Sequence, residues 1–532
     1  MHNRMLKSIS FPLMIFMSIM LTRCSTDSGI NVTPVDTVGS LTSDEIQTLI
    51  TQAVEVAGRN NQSAVIAIAD RFGNPLAVYS MTGTAGSVND PNFGAVPKAR
   101  TAAMLSSNYA ALSTLTACWI TRATFPPNQP NTLLQGPLFG VGFSSLSGSD
   151  IYDTTLPGQN TPGLVGLTGV PGGFPIYKDG LLAGGLGIST FANAAALPAN
   201  FLINCGGNII DETIALNALG SFAPPADRTA NNIQLDGIQL SYATTQMQQI
   251  QFVLNPSDLT RAPGDPTPPK GTFDPNYPLP AQINLLPDSY QPLYPPLSGT
   301  TLTAADVQQI VNQAITEANR IRSSLRRPVG LSSRFTIAVT DIDGTVLALY
   351  RMADAPVFST DVSVQKARTA VVFSQQGSTF GQQFRGYLMD SNNQPVPPGQ
   401  PVAVSTRAAG FLAGPYFPPG KGQPSQNLVV IPGPMYVPDP VIGANYNRLQ
   451  QNMQLAPQGN GMTFFGGGVP LYKNGVLVGG IGVSGDGVRP DEMVAFAGAV
   501  GFQAPIEIRA DQFYYNGTRI PYVTFERNVY IK

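Results

Sequence analysis

One stretch of this chain occurs twice, and any fold proposed for it has to accommodate the duplication. Residues 172–189 read GGFPIYKDGLLAGGLGIS and residues 467–484 read GGVPLYKNGVLVGGIGVS. Aligned without a gap at an offset of 295, 11 of the 18 positions are identical. Each copy sets two apolar runs around a pair, Asp179-Gly180 or Asn474-Gly475. Such a pair accepts the positive φ of a type I′ turn, so each copy predicts a β-hairpin. Small residues alternating after the turn predict a strand on which another element packs closely.

The duplication extends well beyond the hairpin. Leu41–Ala57 returns as Leu302–Ala318, residues 64–81 return as 335–352, and Lys98-Ala99-Arg100-Thr101-Ala102 returns as Lys366-Ala367-Arg368-Thr369-Ala370. Asp211-Glu212 and Asp491-Glu492 open matching segments after the hairpins, and the tails correspond through Arg228 and Gly237 against Arg509 and Gly517. A period this long means two copies of a domain, not a solenoid. Thr42 followed by Glu45 forms a capping-box pattern, and Ile46, Leu49, Ile50, Ala53, Val54 and Ala57 keep helical spacing, so the domain opens on a core-facing helix. Two strands follow at 64–70 and 75–81, with Asp70 and Asp341 at strand ends where turn chemistry uses Asp. A second helix is expected from Lys98 to about Ala117. Its two cations suit either an anion at the helix start or a solvated first turn.

The expected boundaries are a signal segment over 1–24, a tether over 25–40, a first domain over 41–254, a Pro-rich linker over 255–300, and a second domain over 301–532. The second domain carries a long Pro/Gly-rich loop insertion that includes Tyr416, Phe417, Tyr436 and Tyr446. The linker holds 12 prolines in 46 residues and is read as semi-extended. With 43% apolar residues and a formal charge of −2, the chain can bury two cores and offers no basic field to nucleic acid.

Arg4 and Lys7 precede an apolar run over 11–21, too short to span a bilayer and suited to a signal peptide. Leu21-Thr22-Arg23-Cys24 follows, so Cys24 is the candidate lipidation site of a bacterial lipoprotein; the alternative is an ordinary cleaved signal. The expected location is the cell envelope, periplasmic or outer-membrane, with the membrane met only through the anchor. The one histidine, His2, would leave with the signal, which removes histidine-based nucleophilic catalysis and zinc sites built on histidine. Cys118 and Cys205 then remain, either as a disulfide favoured by an oxidising envelope or as two buried thiols. Gly480, Gly482 and Gly485 fit a GxGxxG pattern, but Thr190 breaks it in the first copy and no suitable βαβ unit surrounds it.

The order of these pieces, Asp341–Gly344, Arg351–Ala355, Lys366–Ala370 and Gly467–Gly485, resembles the GlcG/HbpS-type haem-binding family, formerly a domain of unknown function. The resemblance covers roughly 41–222 and 302–502. It implies an α+β fold: two tandem α/β sandwich domains, profilin-like, each a mostly antiparallel sheet with packed helices. It implies haem or another tetrapyrrole as ligand. Ser80, Gly83 and Thr190 stand where the second copy has Arg351, Asp354 and Gly485, so the second copy is the expected site. Arg351, Asp354, Lys366 and Arg368 are the expected ligand-binding residues, with Arg suited to gripping propionates. Lys98 and Arg100 mark a possible second site, and Met352, Tyr472 or Lys366 would have to serve as axial ligand. The simplest alternative for the first pair is that Arg351 and Asp354 meet on the surface. Three functions are weighed: an envelope-anchored, non-catalytic haem-binding protein; a non-catalytic envelope scaffold whose Pro/Gly-rich loops contact protein partners; and a haem-degrading enzyme, disfavoured because no acid–base set is evident.

Overall fold

The computed structural model describes residues 39–90, 93–120, 141, 144, 149–151, 166–191, 205, 210–235, 238–259, 270–281, 291–413, 434–435, 460–525 and 530–531. His2, Cys24, Gly237 and the loop aromatics Tyr416, Phe417, Tyr436 and Tyr446 lie outside them.

The first repeat opens with α1 (Ser43–Arg59), whose Thr42 and Glu45 make the reciprocal capping box and whose apolar stripe is buried. Strands β1 (Val65–Asp70) and β2 (Pro75–Met81) follow, then α2 (Ala95–Leu105), α3 (Thr114–Cys118), the hairpin β3 (Gly173–Lys178) and β4 (Leu181–Ser189), and α4 (Ile210–Ala218). Strand β5 (Gly271–Phe273) comes next, then β6 (Gln291–Tyr294). The second repeat runs α5 (Ala304–Arg320), β7 (Phe335–Asp341), β8 (Val346–Arg351), α6 (Ser359–Ser374), α7 (Thr379–Gly386), α8 (Thr406–Ala413), β9 (Gly468–Lys473), β10 (Val476–Gly485) and α9 (Val488–Gly498).

Two five-stranded sheets result, ordered β3-β4-β1-β2-β5 and β9-β10-β7-β8-β6, with every neighbouring pair antiparallel. Both hairpins turn through a pair of positive-φ residues, Asp179-Gly180 and Asn474-Gly475. Both carry a register shift at the same repeat position, Ile176/Tyr177 and Leu471/Tyr472. Repeated pairing order, turn and irregularity make the two repeats one fold used twice.

In each repeat the sheet lies between helices. Helix α1 packs on α4, and α5 on α9, over one face, while α2 or α6 covers β4 or β10 on the other. The glycines of β10 serve that second contact. A Cβ on Gly482 would collide with the carbonyl of Ser363, and one on Gly187 with that of Ala95. Gly480 and Gly482 therefore let a helix sit down on a strand, which accounts for the dinucleotide-like pattern structurally.

Two expectations change. The second helix of the first repeat does not run unbroken to Ala117. It stops at Leu105, because Ser106 exchanges hydrogen bonds with both backbone groups of Leu112 and folds the chain into a loop; Ser113 then caps α3. The Pro-rich segment also does more than connect: it adds β5 beside β2 and β6 beside β8. An edge strand suits such a sequence, since proline is tolerated where no further strand needs its missing N–H. Asp341 fixes the segment's end by accepting from the backbone N–H and hydroxyl of Thr300 at 2.6 and 2.8 Å. Asp70 accepts from the backbone N–H groups of Phe72 and Asn74, as turn chemistry predicts. Among the described residues no helix is long and apolar enough to cross a membrane.

Candidate functional site at the junction of the repeats

The cations singled out in the sequence are not at the surface. Lys98, Arg100 and Lys366 are 0% exposed, and every residue of α2 and α6 is buried. Lys98 Nζ donates to Asp211 Oδ2 at 2.6 Å and to the carbonyl of Ile188. Lys366 Nζ repeats this with Asp491 Oδ2 at 2.7 Å and the carbonyl of Val483. Each pair ties the helix on one face of the sheet to the helix start on the other. The pairs are the internal struts of the repeat, and burial rules out the solvated-turn reading of the Lys-Ala-Arg start. Burial pushes the Lys366 ammonium down and the Asp491 carboxyl up to about 7, against the attraction between them.

Arg368 donates two parallel hydrogen bonds to Asp150, at 2.9 and 2.6 Å, and reaches Asn460 and the carbonyl of Gly344. Asp150 belongs to the first repeat, so the fork that was to grip a propionate grips a carboxylate of this chain. Arg351 donates to the carbonyl of Ala355 and lies 5.7 Å from the Phe72 ring centroid of the first repeat. Asp354 is buried as well, and the surface-pair alternative for Arg351 and Asp354 fails on that ground. Asp354 accepts from Arg326, from Arg71 at 3.2 Å and from the backbone N–H of Asn108 at 2.9 Å; Arg326 goes on to Asp486. Burial alone would lower the Arg326 guanidinium, but Asp486 and Asp354 outweigh it and hold its proton more tightly.

These contacts make a buried ionic chain across the junction: Arg71, Asp354, Arg326, Asp486. Around it, Ser149 donates to Asp361, and the backbone N–H groups of Arg327 and Phe358 reach the carbonyls of Tyr109 and Met104. Leu325, Val357, Phe358, Val362 and Phe465 of the second repeat join the first repeat's apolar core. Arg351, Asp354 and Arg368 thus sit at one junction, as their order in the sequence suggested, but as cement between repeats; Lys366 is a strut within its own.

Met352 and Tyr472 are both buried in the second core, the Tyr472 hydroxyl pushed well above the usual tyrosine range by burial. Both side chains, proposed as axial ligands, are enclosed within the second repeat. Among the described residues no group of three or more His, Cys, Asp or Glu side chains is placed to hold a metal ion. Cys118 and Cys205 are joined in a disulfide, with their Cα atoms 5.8 Å apart.

Arg71, Asp150, Arg326 and Asp486 were not singled out in the sequence. A weak signal existed for the strut acids: the Asp-Glu pairs at 211 and 491 recur with the lysines they neutralise.

A family model described as haem degrading protein HbpS-like matches residues 41–195 and 302–500, about two thirds of the chain. Several solved structures resemble one repeat's length of the chain. PduOC in complex with haem is 18% identical, covering 38% of this chain and 94% of that one, with a TM-score of 0.22. Protein ORFY of Klebsiella pneumoniae is 20% identical over 38% and 93%, at 0.21. HbpS is 18% identical over 38% and 92%, at 0.19. No curated protein matches the sequence. The chain belongs to the HbpS-like family and carries that family's region twice.

Proposed function

We propose that this chain is a haem- or tetrapyrrole-binding protein of the cell envelope, held at a membrane by lipidated Cys24 and acting without catalysis. The observation that supports the ligand class is the match of the HbpS-like model to both repeats. The ligand is not gripped by Arg351, Asp354, Lys366 and Arg368 as they stand, because each already has a partner within the chain. A haemin titration of the full chain, followed by absorbance, tests the reading. Saturable binding at micromolar haemin with a shifted Soret band is the expected result, and no spectral change up to about 100 μM, a range typical of weak ligands, would end it. Partition of the chain into a detergent phase, lost on Cys24→Ala, tests the anchor.

One observation favours a second reading, the non-catalytic scaffold with protein partners. The charged residues that the second repeat has and the first lacks, Arg351 and Asp354, both serve the junction. Failure of haemin to bind gives this reading precedence.

A further inference from the structure

The two strut pairs are held differently at the acid. In the first repeat Lys98 and Asp211 are buried, and Lys98 Nζ donates to Asp211 Oδ2 at 2.6 Å. The other oxygen, Oδ1, accepts from the backbone N–H of Thr190 at 3.1 Å and from its hydroxyl at 2.6 Å. In the second repeat Lys366 reaches Asp491 Oδ2 in the same way, but Gly485 stands at the Thr190 position. Asp491 Oδ1 is buried without a hydrogen-bond partner among the described residues. The first repeat alone thus sets an amine against a carboxyl group whose second oxygen meets two donors. Nucleophile, electrophilic carbon and oxyanion hole are arranged in this way for acyl transfer.

We infer that Lys98 and Asp211 condense into a side-chain amide, Nζ joined to Cγ, with Thr190 holding the oxyanion that forms on Oδ1. The hydrogen bond to Oδ2 keeps Nζ close to the separation of about 3–3.5 Å from which a bond to carbon forms, and groups fixed in this way react as if at about 10⁵–10⁸ M. Desolvation disfavours charged forms, so a proton passes from an ammonium to a carboxylate more easily in a dry site than in water. The product is neutral and replaces two buried charges, which are costly to keep from water. The bond closes a loop in which the Cys118–Cys205 disulfide is nested, so both covalent ties fall in the first repeat. It does not depend on the identity of any ligand.

The atoms balance without a co-reactant. One proton of the Lys98 ammonium passes to Asp211 Oδ2 along their hydrogen bond, leaving an amine and a carboxylic acid. The Nζ lone pair then bonds to Cγ, and the carbonyl π pair moves onto Oδ1, where the two Thr190 donors stabilise it. A second proton follows from Nζ to Oδ2. The pair on Oδ1 returns, the Cγ–Oδ2 bond breaks, and Oδ2 leaves as water. The remaining proton stays on the amide nitrogen, which already donates to the carbonyl of Ile188.

Trypsin digestion of the full chain, denatured, reduced and alkylated, with mass spectrometry of the peptides, tests the inference. The expected result is that trypsin fails to cut after Lys98, and that the peptides carrying Lys98 and Asp211 appear as one species lighter than their sum by one water. Trypsin cuts after Lys366, and no species joins Lys366 to Asp491. Lys98→Arg, which keeps the cation, abolishes the joined species, and Thr190→Val, which removes the hydroxyl and keeps the shape, leaves most of the chain unjoined. Only linear peptides in the wild-type digest overturn the inference, and that result stands whether or not a variant folds. A joined species from Lys366 and Asp491, or undiminished joining in Thr190→Val, overturns it as well, because the bond would then form without the Thr190 donors.

Discussion

Asp354→Asn tests whether the buried ionic chain holds the repeats together. Position 354 has a φ of 60°, which Asn tolerates as Asp does, so the change isolates charge from backbone strain. In the native junction Asp354 receives Arg326, Arg71 and the backbone of Asn108. With Asn, Arg326 keeps Asp486, but the chain has one carboxylate fewer, in a place where water cannot compensate. Removing one partner of a buried pair costs about 3–5 kcal/mol; with Arg326 still partly neutralised by Asp486, the loss falls somewhat lower, about 2–4 kcal/mol.

The melting shift depends on what unfolds as a unit. Unfolding entropy near 60 °C is about 2.1 cal/mol/K per residue, so a single cooperative body of about 490 residues loses about 2–4 °C. Repeats that melt separately, at about 200 residues each, would show about 5–10 °C in the affected transition. Differential scanning calorimetry of wild type and variant reads both the shift and the number of transitions. The difference should persist in 1 M salt, because buried pairs are weakly screened. A variant melting within 1 °C of wild type, or a loss that disappears in high salt, would refute a buried, stabilising chain.

Two further outcomes follow from the same structure. Burial raises the folded-state pKa of Asp491 to about 7, above an unfolded value near 3.9; the folded state therefore binds the proton more tightly, and this contribution to stability is full below about pH 4 and lost as pH rises through about 7. Asp491→Asn should flatten urea-measured stability across that window, and an unchanged pH profile would count against the shift. The Cys118–Cys205 disulfide closes a separation of 87 residues and should contribute about 2–4 kcal/mol. Both cysteines cluster with Trp119, the one tryptophan of the chain, so reduction should lower the melting temperature and raise tryptophan emission together; two alkylatable thiols in unreduced protein would exclude the bridge.

Much of the fold was legible because it is local. The capping box at Thr42 and Glu45, the stripe of α1, and the turns at Asp179-Gly180 and Asn474-Gly475 are decided within a few residues. The site was legible only as a set of unusual residues. Lys98 and Asp211 are 113 positions apart, Lys366 and Asp491 125, and Arg368 and Asp150 218. No spacing rule joins residues so distant, and a Lys-Ala-Arg helix start looks the same whether it faces water or an acid brought by the far side of the sheet. The break at Ser106 was hidden too, since it depends on the hydroxyl finding Leu112 rather than on a glycine or proline.

The differences between the repeats acquire a reason once the junction is seen. Asp70 corresponds to Asp341 in the duplication, so Arg71 corresponds to Ile342; Met81 corresponds to Met352, so Asp354 corresponds to Gly83. A dimer of identical subunits about a twofold axis must present every contact twice, and each surface must be complementary to itself. Two repeats in one chain are free of that requirement. Here the guanidinium of Arg71 is kept on one copy and the carboxylate of Asp354 on the other, and their contact cannot recur at Ile342 and Gly83. Neither copy can replace its neighbour: two second repeats would bring Asp354 to a junction without Arg71, and two first repeats would bring Arg71 to one without Asp354. The two struts differ in the same way: Thr190 donates to Asp211 Oδ1, whereas Gly485 has no hydroxyl to offer Asp491. Specialisation of the junction is therefore available to a fused pair and not to a symmetric one.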